Sequence, residues 1–162
     1  VDNRIGSHYF RPSPSWGGSC FPKDLVEVNN FYKKDELNLP LISNIIKSNE
    51  EHLNWTVEQL LSLKNNNNLE KIVLVGAAFK ENTDDLRNSP TLDIYKILND
   101  MGVQVSIFDT EIEVPNYNYF SSIEDLNEKS LIAIMYPLNN NLDKKLSDYS
   151  SQNSCIIFYP WK

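Results

Sequence analysis

One short segment of the chain combines residue types that could carry out nucleophilic chemistry. It reads Gly17-Gly18-Ser19-Cys20-Phe21-Pro22-Lys23-Asp24, which places a cysteine after two glycines and directly before a predicted helix. Backbone amides and the helix dipole at such a position favour the thiolate. Asp24 follows one helical turn later, where a carboxylate can act on a water beside the sulfur. The same spacing also fits a buried cysteine beside a solvated Lys23 and Asp24, so spacing alone leaves both interpretations open.

Other cysteine chemistry has weaker support in the sequence. No histidine stands close to Cys20 along the chain, although His8 or His52 could approach it in space, and there is no Cys-x-x-Cys. Cys155 lies in an apolar stretch and is predicted to be buried core. These cysteines predict neither a disulfide framework nor a metal site, and a cysteine hydrolase or thiol-redox protein remains a rival interpretation.

Composition limits the class of protein and its partners. The chain has 162 residues, 41% of them hydrophobic, and a net charge of -7. This length predicts one compact domain with an appendage. The acidic balance argues against nucleic acid as a partner, because a polyanion needs a basic surface. No apolar run is long enough to cross a membrane and no leader pattern is present, so we expect a cytoplasmic protein with no membrane partner.

The first part of the chain is predicted to be helical. After an aperiodic loop ending at Cys20, a helix is predicted from Pro22 to about Tyr32, and a long amphipathic helix from Leu39 to Leu63. The polar run from Lys64 to Asn68 is the best candidate boundary. We therefore expect residues 1–68 to form a loop and helical region and residues 69–162 a second domain.

The second part shows short buried strands alternating with helices, which is typical of a parallel α/β unit. Ser89-Pro90 predicts the start of a helix that runs through Met101 and stops at Gly102. Ser121–Glu128 is predicted to form a short helix, and no element is predicted between Asn139 and Cys155. The predicted strands are Ile72–Ala77, Val103–Phe108, Leu131–Met135 and Cys155–Phe158.

Two further blocks accompany the cysteine segment. One is Gly76-Ala77-Ala78-Phe79-Lys80-Glu81-Asn82-Thr83-Asp84-Asp85-Leu86-Arg87-Asn88-Ser89-Pro90, and the other is Asp2-Asn3-Arg4-Ile5-Gly6. Together, in this order, the three motifs resemble those of the UDP-glucose/GDP-mannose dehydrogenase family. The resemblance covers Val1 to about Asp109 and fades thereafter. It implies an α/β fold in which a helical dimerisation segment precedes a Rossmann-like, UDP-binding domain.

The resemblance also implies an activity. Family members oxidise the C6 alcohol of a nucleotide sugar to a carboxylate and reduce two NAD molecules. By matching position, Cys20 is the nucleophile that forms a thiohemiacetal and then a thioester, and Asp24 assists proton transfer and water attack. The residues implied to bind substrate are Arg4, Tyr9, Trp16, Gly17, Phe79 and Lys80, and those implied to lie near NAD are Lys23 and Arg87. For Lys80 and Arg87 a solvated loop charge is the plainer alternative, and for Trp16 a core anchor.

Some expected features of a dinucleotide site are missing. The first strand ends in Gly76-Ala77-Ala78-Phe79 rather than in Gly-x-Gly-x-x-Gly. Asp109 has the position of a ribose-binding acid but is predicted to be a turn residue. The resemblance therefore implies that the NAD-binding domain lies before Val1, and that this chain alone is inactive. The long helix resembles the family's central helix, which implies a homodimer.

The chain also departs from the family pattern. Pro12-Ser13-Pro14-Ser15-Trp16 stands where more glycine is usual, and Lys162 stands near the place of a C-terminal Arg. Ser19 and Phe21 favour UDP-glucose or GDP-mannose over UDP-N-acetylhexosamine as the substrate. A non-catalytic module that binds nucleotide sugar and dimerises is a further alternative.

Overall fold

The structure is a computed structural model that describes residues 13–34 and 39–161. Predictions for Arg4, His8, Tyr9 and Lys162 fall outside these residues. The described part contains four helices, five strands and a short 3-10 turn at Ile123–Asp125. The helices are α1 (Cys20–Lys34), α2 (Pro40–Asn66), α3 (Pro90–Asp100) and α4 (Asn140–Gln152), and the strands are β1 (Lys71–Val75), β2 (Val105–Phe108), β3 (Tyr119–Phe120), β4 (Ser130–Ile134) and β5 (Ile156–Phe158).

The five strands form one parallel sheet in the order β3-β2-β1-β4-β5. From β1 the chain moves outward to β2 and β3, then returns to the other side of β1 to form β4 and β5. The order therefore reverses between β1 and β4. In open α/β sheets the loops at the carboxyl ends of the strands beside such a reversal form the ligand crevice. The α/β fold class predicted from the sequence is confirmed.

Helices cover both faces of the sheet. Alternate residues of β1 point to opposite faces, so Ile72 and Leu74 pack under α2 and α3, whereas Val73 and Val75 pack with Leu146 of α4. Such two-sided burial explains why these strands are almost continuously apolar. Cys155 belongs to the second cluster and is buried, as its apolar neighbours predicted.

Helix α2 connects the cysteine segment to the sheet. Its C-terminal half places Val57 and Leu60 in the same core as β1 and β4, while its N-terminal half packs against α1. The core beside the sheet thus includes residues on both sides of position 68. The division into residues 1–68 and 69–162 stays a prediction.

Several local predictions differ from the structure. Helix α2 continues to Asn66, so part of the expected connector is helical, and the turn is completed by Asn68 at φ 53°. Ser89 is the N-cap residue of α3 as predicted, but its buried hydroxyl donates to the carbonyl of Ala77 rather than to an amide of the helix. Only one 3-10 turn forms within Ser121–Glu128. Within the described ranges, no helix is long and apolar enough to span a bilayer.

Candidate functional site

The cysteine segment and the second motif pack against each other. The amide of Gly18 donates to the Arg87 carbonyl at 3.1 Å, and Nδ2 of Asn88 donates to the Gly18 carbonyl at 2.8 Å. A Cβ on Gly17 would overlap the Asn88 carbonyl oxygen. These contacts join residues about seventy positions apart in the sequence. The two glycines are therefore required for the approach of one loop to the other.

The second motif is itself braced by side chains. The Thr91 hydroxyl donates to the Gly76 carbonyl at 2.7 Å, and that of Ser89 donates to Ala77 at 2.6 Å. Oδ2 of Asp109 accepts from the Ala77 amide at 2.8 Å, while its Oδ1 accepts from the amides of Glu111 and Ile112. Both carboxylate oxygens of Asp109 thus accept hydrogen bonds from backbone amides in the turns. This agrees with the prediction that Asp109 is a turn residue.

Asp85 holds Arg87 in one orientation. Its two carboxylate oxygens accept from Nε and Nη2 of Arg87 at 2.9 and 2.8 Å, and the Arg87 amide adds a third bond at 2.9 Å. These side-chain and backbone hydrogen bonds lower the pKa of Asp85 to about 2. The pKa of Arg87 is raised chiefly by its hydrogen bond to Asp85, with a smaller contribution from the charge of Cys20. The Arg87 carbonyl also accepts from the Gly18 amide, so the residue that carries the guanidinium group packs against the loop leading to Cys20.

Cys20 is the first residue of α1 and is exposed. The alternative of a buried structural cysteine is therefore wrong. Its Sγ lies 3.7 Å from the Ser19 hydroxyl. Asp24 follows one turn along α1 and is exposed, as is Lys23, whose Nζ lies 3.7 Å from Glu27 Oε1. The nucleophile position, a carboxylate and a cation are thus all open to solvent at the start of one helix.

A cleft of about 280 Å³ lies between the two motif loops and the end of β4. Its walls include the indole of Trp16, the ring of Phe79 and the side chains of Lys80 and Tyr136. The Lys80 ammonium lies 5.3 Å from the centroid of the Phe79 ring, within cation–π distance. Aromatic walls with one cation suit a base or sugar ring that carries a phosphate. The structure thus places predicted residues Trp16, Gly17, Phe79 and Lys80 together.

A second crevice of about 420 Å³ opens at the carboxyl edge of the sheet and shares Tyr136 with the first. Its charged lining consists of carboxylates, among them Asp84 and Glu111, and the described residues contribute no Lys or Arg to it. These charges oppose the binding of a phosphate there. We call the first space the aromatic cleft and the second the acidic crevice.

The acidic crevice does not fit a dinucleotide. Gly76 has φ 98°, and a Cβ there would lie 2.5 Å from the Tyr136 ring, so this ring covers the turn that a pyrophosphate would approach. Burial first, and the charge of Asp109 second, raise the pKa of the Tyr136 phenol, while a hydrogen bond to the Ala78 backbone opposes the rise. Tyr136 therefore remains a neutral phenol between the two spaces.

Several side chains that build this site were not predicted. Asn88, Asn49 and Tyr136 act through contacts with residues far away in sequence, for which local spacing gives no signal. Asn88 lies inside a recognised motif, but nothing in its neighbours indicates its contact with Gly18. No cluster of three metal-ligating side chains occurs in residues 13–34 and 39–161, so the described part offers no metal centre.

Family comparisons agree with this arrangement. A family model described as "UDP-glucose/GDP-mannose dehydrogenase family, central domain" matches residues 1–51. A second, for the UDP binding domain of the same family, matches residues 73–148. The matched ranges together cover most of the chain, and each includes one of the two loops that meet at the aromatic cleft.

The individual proteins to which the chain is similar are named either UDP-glucose 6-dehydrogenase or GDP-mannose 6-dehydrogenase. The chain is 36% identical over 110 residues to a UDP-glucose 6-dehydrogenase of Rickettsia felis, which covers 67% of this chain and 25% of that protein. It is 31% identical over 144 residues to the UDP-glucose 6-dehydrogenase of Rickettsia prowazekii, an alignment that covers 83% of this chain and 33% of that protein. It is 30% identical over 150 residues to the GDP-mannose 6-dehydrogenase of Azotobacter vinelandii, an alignment that covers 91% of this chain and 33% of that protein. The chain thus spans a quarter to a third of these relatives.

Solved structures show the same fold. A GDP-mannose dehydrogenase from Pseudomonas aeruginosa superposes with a TM-score of 0.77 and 20% sequence identity. The match covers 96% of this chain and 38% of the Pseudomonas chain. A UDP-glucose dehydrogenase from Pyrobaculum islandicum superposes with a TM-score of 0.72 and 21% sequence identity. The match covers 100% of this chain and 38% of the Pyrobaculum chain. With three motifs, two family models and this fold in agreement, the chain belongs to the UDP-glucose/GDP-mannose dehydrogenase family of nucleotide-sugar dehydrogenases.

Proposed function

We propose that this chain is the C-terminal part of an NAD-dependent UDP-glucose 6-dehydrogenase, and that the aromatic cleft receives the UDP-sugar beside Cys20. The observation that carries the proposal is the contact between the cysteine segment and the second motif. The cysteine segment contributes Gly17 to the lining of a cleft with Lys80 and aromatic walls, and the exposed thiol of Cys20 follows three residues later at the start of α1. That combination suits a phosphate-bearing sugar whose far end reacts with the sulfur.

Cys20 acts on the aldehyde form of the sugar. The thiolate attacks the carbonyl carbon, a carbon–sulfur bond forms, and the carbonyl oxygen takes up a proton to give a thiohemiacetal. After oxidation to the thioester, water attacks the same carbon, the carbon–sulfur bond breaks, and the thiolate returns. Asp24, one turn from Cys20, takes the proton from that water. Arg87, held by Asp85, contributes positive charge near the sulfur.

NAD supplies the hydride acceptor for each oxidation when it is bound. The acidic crevice does not fit this cofactor, since Tyr136 covers Gly76 and the described residues place no cation in the lining. We assign its binding to a part of the protein outside this chain, in keeping with the much greater length of the relatives. Lys23 and Arg87 are exposed and provide the contacts with NAD that this chain offers. We expect the chain by itself to be inactive.

UDP-glucose is the proposed substrate because relatives with that name align at 36% identity over 110 residues and at 31% over 144 residues. GDP-mannose 6-dehydrogenases align at a similar level, 28–30% identity over 144–150 residues. GDP-mannose is the first alternative, and a UDP-N-acetylhexosamine the second. Arg4 and Tyr9, in the first loop, remain predicted substrate contacts.

The remaining proposals concern assembly. Residues 1–68 would form an active-site loop and central helical region, and residues 69–162 the UDP-sugar-binding domain, in a cytoplasmic homodimer. Exposed apolar side chains on α1 and α2, including Phe31, Leu41 and Trp55, support a covered surface on these helices. Light scattering should give the mass of a dimer at high protein concentration. A strict monomer would count against the assembly.

Calorimetric titration with UDP, GDP and NAD tests the proposed function. We expect UDP to bind and NAD not to bind, and Lys80→Ala to weaken UDP binding by at least roughly tenfold because a phosphate loses its cation. Lys96→Ala is the matched control, since Lys96 is an exposed lysine on α3 that pairs with Asp93. The control should bind UDP like the unmodified chain.

Each other outcome has a definite meaning. A preference for GDP would transfer the proposal to GDP-mannose. Binding of neither nucleotide would refute the aromatic cleft as a site within this chain and favour a non-catalytic dimerisation module. An equal loss of UDP affinity in Lys80→Ala and Lys96→Ala would show a non-specific electrostatic effect.

A further inference from the structure

We propose that Asn49, His52 and Thr56 of α2 are positioning residues that hold the loop of residues 13–16 as a wall of the aromatic cleft. The inference rests on the proposed function of that cleft. None of the three residues belongs to a motif identified in the sequence. They face the same side of α2, because positions 49, 52 and 56 are three and four residues apart.

Asn49 binds both backbone groups of Trp16. Its Oδ1 accepts from the Trp16 amide at 2.8 Å, and its Nδ2 donates to the Trp16 carbonyl at 3.0 Å. A side-chain amide carries a donor and an acceptor at the spacing that this bidentate contact needs. Asn49 therefore fixes the backbone from which the indole projects.

His52 and Thr56 continue the same contact along the loop. Nε2 of His52 lies 2.9 Å from the Ser13 carbonyl, which can only accept, so this nitrogen carries the hydrogen. The Thr56 hydroxyl is shared between the carbonyls of Pro14, at 3.2 Å, and His52, at 3.0 Å. Thr56 is fully buried, which makes the loss of these bonds costly.

The position of this loop matters for the site because it precedes the nucleophile. Ser13 to Gly17 line the aromatic cleft together with Phe79 and Lys80. The Trp16 ring also packs edge-on against Phe21 with centroids 4.7 Å apart, next to Cys20. A displacement of the loop would therefore alter the cleft wall and the approach to Cys20 together.

Amide hydrogen exchange of Asn49→Ala tests the loop contact directly. The Trp16 amide should exchange at least roughly tenfold faster in the variant, because its acceptor is removed. The Ile72 amide, bonded to Gln104 in the sheet, should exchange at an unchanged rate. Asn66→Ala is the control variant, since Asn66 is an exposed residue of the same helix whose side-chain amide donates to the Ser62 hydroxyl, far from the loop. An unchanged Trp16 rate, or equal acceleration of Ile72, would overturn the proposal.

Titration of the same variants with UDP-glucose separates the inference from the proposed function. We expect Asn49→Ala to bind UDP-glucose roughly tenfold more weakly than the unmodified chain, and Asn66→Ala to bind normally. Unchanged affinity in Asn49→Ala, with a faster Trp16 amide, would overturn the positioning role but leave the proposed function intact. If the unmodified chain does not bind UDP-glucose, the proposed function fails, and the positioning role fails with it.

Discussion

At Gly18, backbone conformation and space both exclude a side chain. Its φ is 86°, and a Cβ would lie 2.9 Å from the Phe79 ring. Gly18→Ala should lower the free energy of unfolding by about 1–3 kcal/mol and weaken UDP binding, because the ring must move. Chemical denaturation and calorimetry provide the two measurements.

Gly102 supplies a matched control for this substitution. It also has a left-handed backbone, at φ 74°, but nothing lies within 4 Å of its Cβ position. Gly102→Ala should lose about 1–2 kcal/mol of stability and keep its UDP affinity. If both variants lose affinity equally, the role assigned to the Gly18–Phe79 contact is wrong.

The Asp85–Arg87 pair makes a prediction about pH. The pKa of Asp85 is lowered from 3.8 to about 2 in the folded chain. Its ionised form therefore stabilises the fold above about pH 4, and this contribution is lost as the pH falls through about 2. A carbon-13 NMR titration should find the Asp85 carboxyl midpoint near 2. In Arg87→Gln the midpoint should rise toward 3.8, and an ordinary midpoint in the unmodified chain would contradict the pairing.

At the scale of elements, α2 is the structural link between the cysteine segment and the sheet. Leu60 is 0% exposed in the core, whereas Leu41, on the same helix, is 79% exposed. Leu60→Ala should cost about 2–5 kcal/mol in the free energy of unfolding, because a cavity forms between α2 and the sheet. Leu41→Ala should change it by less than about 0.5 kcal/mol in dilute protein. Similar values for the two variants would mean that α2 does not pack as described.

The sequence predicted most elements because their burial produces a strong pattern. Strands β1, β2 and β4 are buried on both faces and are continuous apolar runs, and α2 has a long amphipathic repeat. Two elements were missed. Strand β3 has two residues at the sheet edge, too few for a period. Helix α4 buries only Leu146 completely, so its polar composition hides its periodicity.

The site was predictable only in part. Motif resemblance identified Cys20, Phe79 and Lys80, and the structure places their loops in contact. The contacts made by Asn49, Asn88 and Tyr136 depend on how α2 and β4 pack, which local spacing does not encode.

For the molecule as a whole, the distribution of charge separates the two spaces at the sheet edge. The chain carries a net charge of -7, and Glu81 lines both spaces. Lys80 lines the aromatic cleft, whereas the charged residues that the described part contributes to the acidic crevice are all carboxylates. The proposed function therefore assigns the nucleotide sugar to the cleft next to the cysteine segment. Because one motif loop precedes α1 and the other follows β1, the site depends on how α2 packs between them against the sheet.

Alkylation of Cys20 by iodoacetamide, followed by mass spectrometry, tests the central claim most directly. Cys155 is buried and serves as the internal control. We expect saturating UDP-glucose to slow the modification of exposed Cys20 by roughly tenfold, because the bound sugar covers the sulfur, while NAD alone has no effect. If UDP-glucose binds by calorimetry but Cys20 reacts at an unchanged rate, the nucleotide sugar does not lie beside the cysteine and the proposed site is wrong.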